Sequence, residues 1–290
     1  MNSPLVRRKR LASEVRALRE AMGLNHEQLG KAVGFHRLKI SRLETGERPP
    51  NVTDVMKILT ALGVDGERWH ELVRIAEDAA ERGWWAEYGD DMGPRQRVYA
   101  DLEAGATSVR TYEIFVFPGL LQIPEYALQR GVQAEGGRPP EYVERNIEAR
   151  AVRQKMFHRP GGPEYEVILD ELAIRRLSAP PEVMTAQLQH LVKIATSNPR
   201  TSVRVLTVDA RISSYEVPRS PFSLFSYPDP GDPPVAAVDT ETADLVFTTP
   251  DEVTPYVRRF DRLLDAALSV GDSIELIRTT ADHLSTETTP

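Results

Sequence analysis

The amino-acid sequence predicts a multidomain protein of 290 residues, with an all-α head followed by a mixed α/β domain. In residues 1–82, apolar side chains recur at helical spacing between glycines that end helices, which predicts five or six helices. From residue 83 onward, apolar runs first alternate with helical segments and then follow one another directly, as in mixed α/β folds. We therefore assign residues 1–82 to the head and residues 83–290 to a second domain.

Charge separates the same two parts of the chain. The net charge is −7, but residues 1–50 contain eleven lysines and arginines against five acidic residues, which leaves −13 for the rest. Because salt screens charges beyond about 8–10 Å, a basic head on an acidic body is compatible with binding to nucleic-acid phosphates.

The head begins with a basic run from Arg7 to Arg10. Two interpretations are open, namely a mobile arm that contacts phosphates or the minor groove, and the solvated basic start of a helix. The helix that follows is expected to end at Gly23. Its predicted apolar face consists of Leu11, Val15, Leu18 and Met22.

Two short helices joined by a sharp turn are predicted next. Asn25 caps the first of them, with Gln28 at the spacing of a capping box. Gly34 is expected to adopt a positive φ in the turn, and Gly30 is expected where the two helices cross closest. The second helix is predicted from about His36 to Glu44. The apolar residues expected to meet between the helices are Leu29, Val33, Ile40 and Leu43.

Two more helices complete the predicted head. After a turn over residues 46–51, Thr53 is expected to cap a helix that ends at Gly63, and Asp65 is expected to start the next one. Their predicted inward residues are Val55, Ile58, Leu59, Leu62, Trp69, Leu72, Val73 and Ala76.

In the second domain, helices are predicted over residues 97–108, 124–131, 140–157 and 181–195. Strands are predicted over residues 113–117, 165–169, 203–207, 222–227, 235–238 and 244–247. Pro250 suits the first turn of a long helix, and Asp272 with Glu275 predicts a capping box for the last helix. These two helices either cover the sheet or form a dimer interface, and the first arrangement is favoured.

The stretch Ile40-Ser41-Arg42-Leu43-Glu44-Thr45-Gly46-Glu47-Arg48-Pro49-Pro50 carries a family resemblance. Residues 8–64 resemble the helix-turn-helix of phage repressors, also called the xenobiotic-response-element (XRE) family. His26 stands where this family usually has glutamine, and His36 where it often has serine. The resemblance implies a DNA-binding regulator. It also implies a structural ion pair between Arg19 and Glu44 that orients the second helix of the pair.

Several stretches of the second part carry another resemblance, which is looser from Gly231 onward. They are Trp84-Trp85, Leu102-Glu103-Ala104, Pro118-Gly119-Leu120-Leu121-Gln122, Glu125-Tyr126-Ala127, Arg150 to Gln154, Asp170-Glu171-Leu172 and Ala186-Gln187-Leu188. From residue 83 to about 280, the chain resembles the C-terminal domain of actinomycete Scr-type, antitoxin-like transcriptional regulators. This resemblance implies no reaction. It suggests a small protein partner that is encoded nearby.

On the second helix of the pair, Ile40 and Leu43 are expected to be buried, so the opposite face is expected to meet solvent. Leu38 on that face suits a thymine methyl group, and arginines there suit the edges of guanines. The predicted base-contacting residues are Arg37, Leu38, Ser41 and Arg42. The predicted phosphate-contacting residues are Asn25, His26, His36, Lys39 and Arg48.

Other chemistry is less supported by the sequence. Five aromatic residues either line a ligand pocket or belong to a domain core or interface, namely Trp84, Trp85, Tyr88, Tyr99 and Tyr112. The sequence has no cysteine, phosphate-binding glycine loop, nucleophile elbow or histidine pair at metal spacing, so we expect no enzyme, cofactor or metal. It also has no apolar run long enough to cross a membrane and no signal-peptide core, so a cytoplasmic location is expected.

These features predict a sequence-specific transcription regulator that binds double-stranded DNA as a homodimer. The second domain is expected to dimerise and to receive a signal from a small-molecule effector or a small protein. The alternative is an antitoxin-like protein that mainly binds a small protein encoded nearby and uses DNA binding for autoregulation.

Overall fold

The computed structural model describes residues 2–134, 140–240 and 244–287. These residues form helices throughout the first part and a six-stranded sheet with further helices in the second, which confirms the predicted fold class. The chain divides into two compact units. The first comprises Met1–Glu87, Val98–Ala106 and Tyr227–Pro233, and the second comprises Tyr88–Arg97, Thr107–Ser226 and Pro234–Pro290. The units therefore alternate along the chain, and a domain boundary at residue 82 stays a prediction.

Five α-helices lie entirely within the first unit. They are α1 (Pro4–Ala21), α2 (His26–Val33), α3 (Arg37–Thr45), α4 (Val52–Ala61) and α5 (Gly66–Ala80). Their shared core includes Leu11, Val15, Leu29, Ile40 and Leu72, with Val33 and Leu43 packed against it. The predicted apolar faces are thereby confirmed, except for Met22. The Met22 side chain is 50% exposed, and Met22 is the C-cap that follows the last residue of α1, Ala21.

The turn between α2 and α3 follows the sequence prediction closely. The side chains of Asn25 and Gln28 form the reciprocal capping box, and Gly34 ends α2 with φ +74°. A Cβ atom at Gly30 would lie 2.6 Å from the carbonyl oxygen of Phe35, so the chain reverses tightly over this position. The glycines are therefore required by backbone geometry and by close approach.

One predicted cap of the head is wrong. The side chain of Asn51, and not Thr53, accepts the backbone N–H of Asp54 at 3.0 Å and begins α4. Thr53 lies within the first turn of the helix, where its backbone is already helical. Asparagine is at least as good an N-cap as threonine, so the earlier residue takes the position.

The remaining helices are α6 (Pro94–Glu103), α7 (Pro124–Ala134), α8 (Pro140–Phe157), α9 (Glu171–Arg175), α10 (Pro181–Ser197), α11 (Pro250–Ala266) and α12 (Val270–Glu287). The strands are β1 (Ser108–Glu113), β2 (Glu164–Asp170), β3 (Thr201–Leu206), β4 (Phe222–Ser226), β5 (Val235–Asp239) and β6 (Asp244–Phe247).

The sheet of the second unit has the order β3-β2-β1-β4-β5-β6. The pairs β1–β2 and β2–β3 are parallel, and the other three pairs are antiparallel. Val253, Phe260 and Leu263 of α11 pack into a core that includes Ile168 and Phe222 of the sheet. The sheet-covering arrangement predicted for α11 is therefore confirmed.

Two local predictions in the second unit are wrong. β1 ends at Glu113, so the apolar run predicted as a strand over residues 113–117 mostly follows it, and Phe115 in that run is 47% exposed. Backbone pairing with β2 and β4 places the strand at Ser108–Glu113, earlier in the chain than predicted. The capping box predicted from Asp272 and Glu275 is also wrong. The last helix begins at Val270, and the Oγ of the preceding Ser269 accepts the backbone N–H of Asp272 at 3.1 Å.

Candidate nucleic-acid interface

A row of side chains on α3 faces solvent, and we call Arg37, Leu38, Ser41 and Arg42 the contact row. Arg37 and Arg42 are exposed, Ser41 is half-buried, and Leu38 is 46% exposed although leucine gains from burial. Ile40, on the opposite face of the helix, is fully buried. Within the described residues, neither arginine of the row makes an ion pair, so both guanidinium groups are available to a ligand.

The orientation of α3 is held by a buried carboxylate at its C-terminal end. Nε and Nη2 of Arg19 donate to the two carboxylate oxygens of Glu44 at 2.7 and 2.8 Å, and His26 Nε2 donates to the same carboxylate at 3.0 Å. Nη1 of Arg19 also donates to the carbonyl oxygen of Leu24 at 2.7 Å. Glu44 therefore joins α1, α2 and α3, and the ion pair implied by the family resemblance is present.

The ion pair sets the protonation state of this centre. Burial alone would raise the pKa of Glu44, but hydrogen bonds from Arg19 and His26 outweigh burial and lower the pKa of this carboxyl group. The hydrogen bond to Glu44 raises the pKa of Arg19. Both groups are therefore charged near neutral pH.

Further contacts from α1 hold the C-terminal end of α3, and the sequence analysis did not identify them. Arg16 Nη2 donates to the carbonyl oxygen of Glu44 at 3.3 Å, and Lys9 Nζ donates to that of Thr45 at 2.9 Å. A Cβ atom at Gly46 would lie 3.0 Å from the carbonyl oxygen of Arg8. Arg16 and Arg19 are three residues apart and therefore share one helix face. This spacing was the sequence feature from which the Arg16 contact could have been predicted.

Three of the predicted phosphate-contacting residues lie at the starts of α2 and α3. Asn25 is the exposed N-cap of α2, and His26 begins that helix with its Nε2 directed at Glu44. His36 is the N-cap of α3, and its Nδ1 accepts the backbone N–H of Leu38 at 3.3 Å. Helix N-termini carry partial positive charge, which favours an approaching phosphate.

The other two predicted phosphate-contacting residues differ in their partners. Lys39 Nζ lies 2.6 Å from a carboxylate oxygen of Asp54 and 3.9 Å from the ring centroid of Phe35. A phosphate contact from Lys39 therefore requires exchange with Asp54. Arg48 is exposed, and the described part of the chain gives it no ion pair.

The basic run at the start of the chain is neither a mobile arm nor a solvated helix start. Ser3 caps α1, and Arg7 and Arg10 are each only 6% exposed. Nη1 of Arg7 lies 3.1 Å and Nη1 of Arg10 lies 2.7 Å from Asp229 of the same unit. Both interpretations of the sequence are therefore wrong for these two arginines, because carboxylates distant in sequence neutralise them.

The five aromatic residues predicted as a possible pocket belong to both units. Trp84, Trp85 and Tyr99 are in the first unit, and Tyr88 and Tyr112 are in the second. Tyr112 is 1% exposed and donates its hydroxyl to Asp170 at 3.2 Å. This is the environment of a core residue, and the pocket composed of these five residues stays a prediction.

Two acidic residues at the junction of β2 and α9 have structural roles. The Asp170 carboxylate accepts the backbone N–H of Leu172 at 3.0 Å and so caps α9, and Glu171 accepts the N–H of Val208 at 2.9 Å. Among the described residues, no group of three or more histidine or acidic side chains is arranged to hold a metal ion. No described helix combines the length and apolar character needed to span a bilayer.

Two family models match separate parts of the chain. Residues 10–72 match a helix-turn-helix domain, which supports a DNA-binding regulator of the XRE-like kind. Residues 96–279 match a domain of unknown function, DUF5753. Neither the curated proteins nor the solved structures include a significant match to the chain. Because the second match covers more than half of the sequence, the chain belongs to the DUF5753 family, with an XRE-like helix-turn-helix domain preceding the family region.

Proposed function

We propose that this protein is a sequence-specific transcription regulator whose helix α3 enters the major groove of duplex DNA. The contact row reads base edges, and Asn25, His26, His36, Lys39 and Arg48 contact phosphates. The protein acts in the cytoplasm, where its chromosomal target lies.

One observation carries this proposal, namely the difference between the arginines of the head. Arg7, Arg10 and Arg19 are buried and paired with carboxylates, whereas Arg37 and Arg42 are exposed on one helix beside an exposed leucine. Holding unpaired guanidinium groups on a rigid helix favours bidentate contacts to guanine O6 and N7. Leu38 supplies the apolar contact that a thymine methyl group prefers.

The test uses an operator selected by the full-length protein from a random duplex pool. The Arg37→Ala, Arg42→Ala double variant is compared with wild type by fluorescence anisotropy at several salt concentrations. Each bidentate contact contributes about 1–3 kcal/mol of discrimination, so the loss of both contacts, at least about 2 kcal/mol, should weaken specific binding by at least about thirtyfold. Affinity for random duplex should decrease much less, because phosphate contacts persist.

The matched control is the Arg74→Ala, Arg82→Ala double variant, which removes the same charge from exposed positions elsewhere in the head. It should retain operator preference. If the Arg37→Ala, Arg42→Ala variant keeps the wild-type preference for the selected operator over random duplex, the base-contact assignment is wrong.

Dimerisation is the second part of the proposal. Two-fold dimers place recognition helices on half-sites about 34 Å apart, which predicts an operator with two inverted half-sites separated by about one helical turn. Analytical ultracentrifugation of the protein with whole and half operators measures the stoichiometry. A single protomer bound with full affinity to a half-site would exclude this arrangement.

The alternative function is that of an antitoxin-like protein whose main partner is a small protein encoded nearby. Besides the family resemblance, exposed apolar residues of the second unit support it, because Val208, Tyr215 and Val217 are 73%, 92% and 65% exposed. Coexpression with the product of the adjacent reading frame, followed by size-exclusion chromatography, tests this alternative. A stable stoichiometric complex that is lost in a Val208→Glu, Val217→Glu variant would favour it over effector sensing.

A further inference from the structure

The second unit contains an open cavity of about 540 Å³ that lies beyond the ends of β1 and β2. Its walls are formed by Phe115 and Val116 after β1, by Gln129 and Arg130 of α7, and by the segment from Arg176 to Pro180. In α/β sheets, ligands bind outside the carboxyl ends of parallel strands. Here β1 and β2 are parallel neighbours, and the segments that line the cavity follow their carboxyl ends. The volume is within the range of small-molecule sites.

Positive charge is concentrated in this cavity. Arg130 and Arg176 both line it, and among the described residues neither has an acidic partner. The guanidinium carbon of Arg176 lies 5.3 Å from the ring centroid of Phe115. A guanidinium group held against an aromatic face keeps its N–H edge free for an anion. The cavity therefore offers two donors for one negatively charged group.

The rest of the lining is largely apolar. Phe115 and Leu177 are 47% and 54% exposed, although both are large apolar side chains, and Val116, Ala179 and Pro180 complete this part of the wall. Exposed apolar side chains beside cations that have no acidic partner in the described ranges favour a ligand that has both an apolar body and an anionic group. A bare inorganic anion would leave the apolar walls in water.

The walls are fixed by contacts beneath the cavity. The fully buried Tyr126 of α7 shares a hydrogen bond of 2.8 Å with Ser178, and its ring meets that of Phe117 edge-on at 5.0 Å. Gln122 donates to the carbonyl oxygen of Phe117 at 2.6 Å, and buried Gln187 donates to that of Leu121 at 2.7 Å. A cavity whose walls are held in this way needs little ordering when a ligand binds.

We propose that this cavity binds a small organic acid, with its carboxylate between Arg130 and Arg176 and its apolar body against Phe115 and Leu177. A phosphate ester shares the anion chemistry, but the apolar walls favour the singly charged carboxylate. This inference goes beyond the proposed function and does not depend on DNA binding, since the cavity lies entirely within the second unit.

The test is isothermal titration calorimetry of the full-length protein with 4-phenylbutyrate, octanoate and indole-3-acetate. 4-Phenylbutanamide, phenyl phosphate and inorganic phosphate are titrated in parallel. We expect saturable one-to-one binding of at least one of the acids. If 4-phenylbutyrate binds, its amide should bind at least tenfold more weakly, because the arginines then face no charge.

Variants locate the site. Arg130→Gln with Arg176→Gln should weaken binding of the acid at least tenfold, and Leu177→Glu should weaken it through repulsion and lost apolar contact. Arg258→Gln is the matched control, because Arg258 is an exposed arginine of the same unit outside the cavity lining. It should change affinity less than twofold. Thermal unfolding of each variant establishes that it remains folded.

Several results would overturn the proposal. They are the absence of saturable binding for all three acids up to about 10 mM, equal binding of 4-phenylbutyrate and its amide, or unchanged affinity in the folded double arginine variant. Inorganic phosphate binding as tightly as the acids would indicate a simple anion site. Tenfold tighter binding of phenyl phosphate would assign the cavity to phosphate esters instead.

Discussion

The carboxylate of Glu44 connects α3 to α1 and α2, and its removal should destabilise the head strongly. The Glu44 side chain is only 1% exposed and accepts three hydrogen bonds, two from Arg19 and one from His26. In a Glu44→Leu variant, Arg19 keeps its charge in a site that is 9% exposed. Its Nε loses its acceptor, and its Nη2 keeps only the contact with Glu20 Oε1 at 3.2 Å. Breaking one side of a buried pair costs about 3–5 kcal/mol, so we expect the free energy of unfolding to decrease by about that amount.

A double-variant cycle separates the interaction from the packing. Arg19→Met alone should cost about 3 kcal/mol, near the lower limit, because His26 and Arg16 remain near the Glu44 carboxylate. Arg19→Met combined with Glu44→Leu should cost much less than the sum, since no buried charge is left unpaired. We expect a coupling free energy of at least about 2 kcal/mol between the two sites.

Amide hydrogen exchange of α2 and α3, together with urea unfolding monitored by circular dichroism, provides the measurement. Exchange reports local opening of these helices even if the two units unfold separately. Glu27→Gln is the matched control, because it removes an exposed acid of α2 that pairs with Lys31 at 3.5 Å. That change should stay within about 0.5 kcal/mol. If Glu44→Leu costs no more than Glu27→Gln, or if the two single effects add fully, the orienting role of this carboxylate is wrong.

Three further predictions concern other parts of the structure. Gly30→Ala should destabilise the head by about 1–3 kcal/mol in urea unfolding, because the new methyl group meets the Phe35 carbonyl oxygen at 2.6 Å; an unchanged midpoint would contradict this. Although burial opposes ionisation, hydrogen bonds from Gly231 and Arg10 lower the pKa of Asp229 from 3.8 to about 2. The stabilisation from this carboxylate, about 2 kcal/mol, is therefore present above pH 4 and is lost toward pH 2. The difference in unfolding free energy between wild type and Asp229→Asn should decrease over that pH range, and a constant difference would contradict this. Gln187→Leu should lower the thermal midpoint of the second unit by several degrees, because the buried carbonyl of Leu121 and the part-buried N–H of Ile123 lose their partners. A shift below about 1 °C would contradict this.

Local patterns in the sequence were sufficient to predict the helix-turn-helix. Asn25 with Gln28, and Gly34 at the turn, are signals within four residues of the backbone groups that they serve. The exposed face of α3 followed from the burial of Ile40, because helical periodicity fixes which side chains share a face. Apolar periodicity also predicted the order of helices and strands in the second unit, except for the short helix α9, which follows β2 directly. The strand at β1 was misplaced because the apolar run that follows it is partly exposed.

Only the tertiary structure decided the partner of each charged group. Arg10 and Arg37 are chemically identical, but Arg10 meets Asp232, which is 222 positions away along the chain, whereas Arg37 remains in solvent. The cavity likewise joins Arg130 and Arg176, which no local pattern relates. Periodicity reports which face of an element is apolar, and the partner of a polar side chain depends on which distant segments pack beside it. The sequence by itself therefore determined the two short helices and the exposed face of α3, and the folded chain determined which cations of the head are paired with carboxylates.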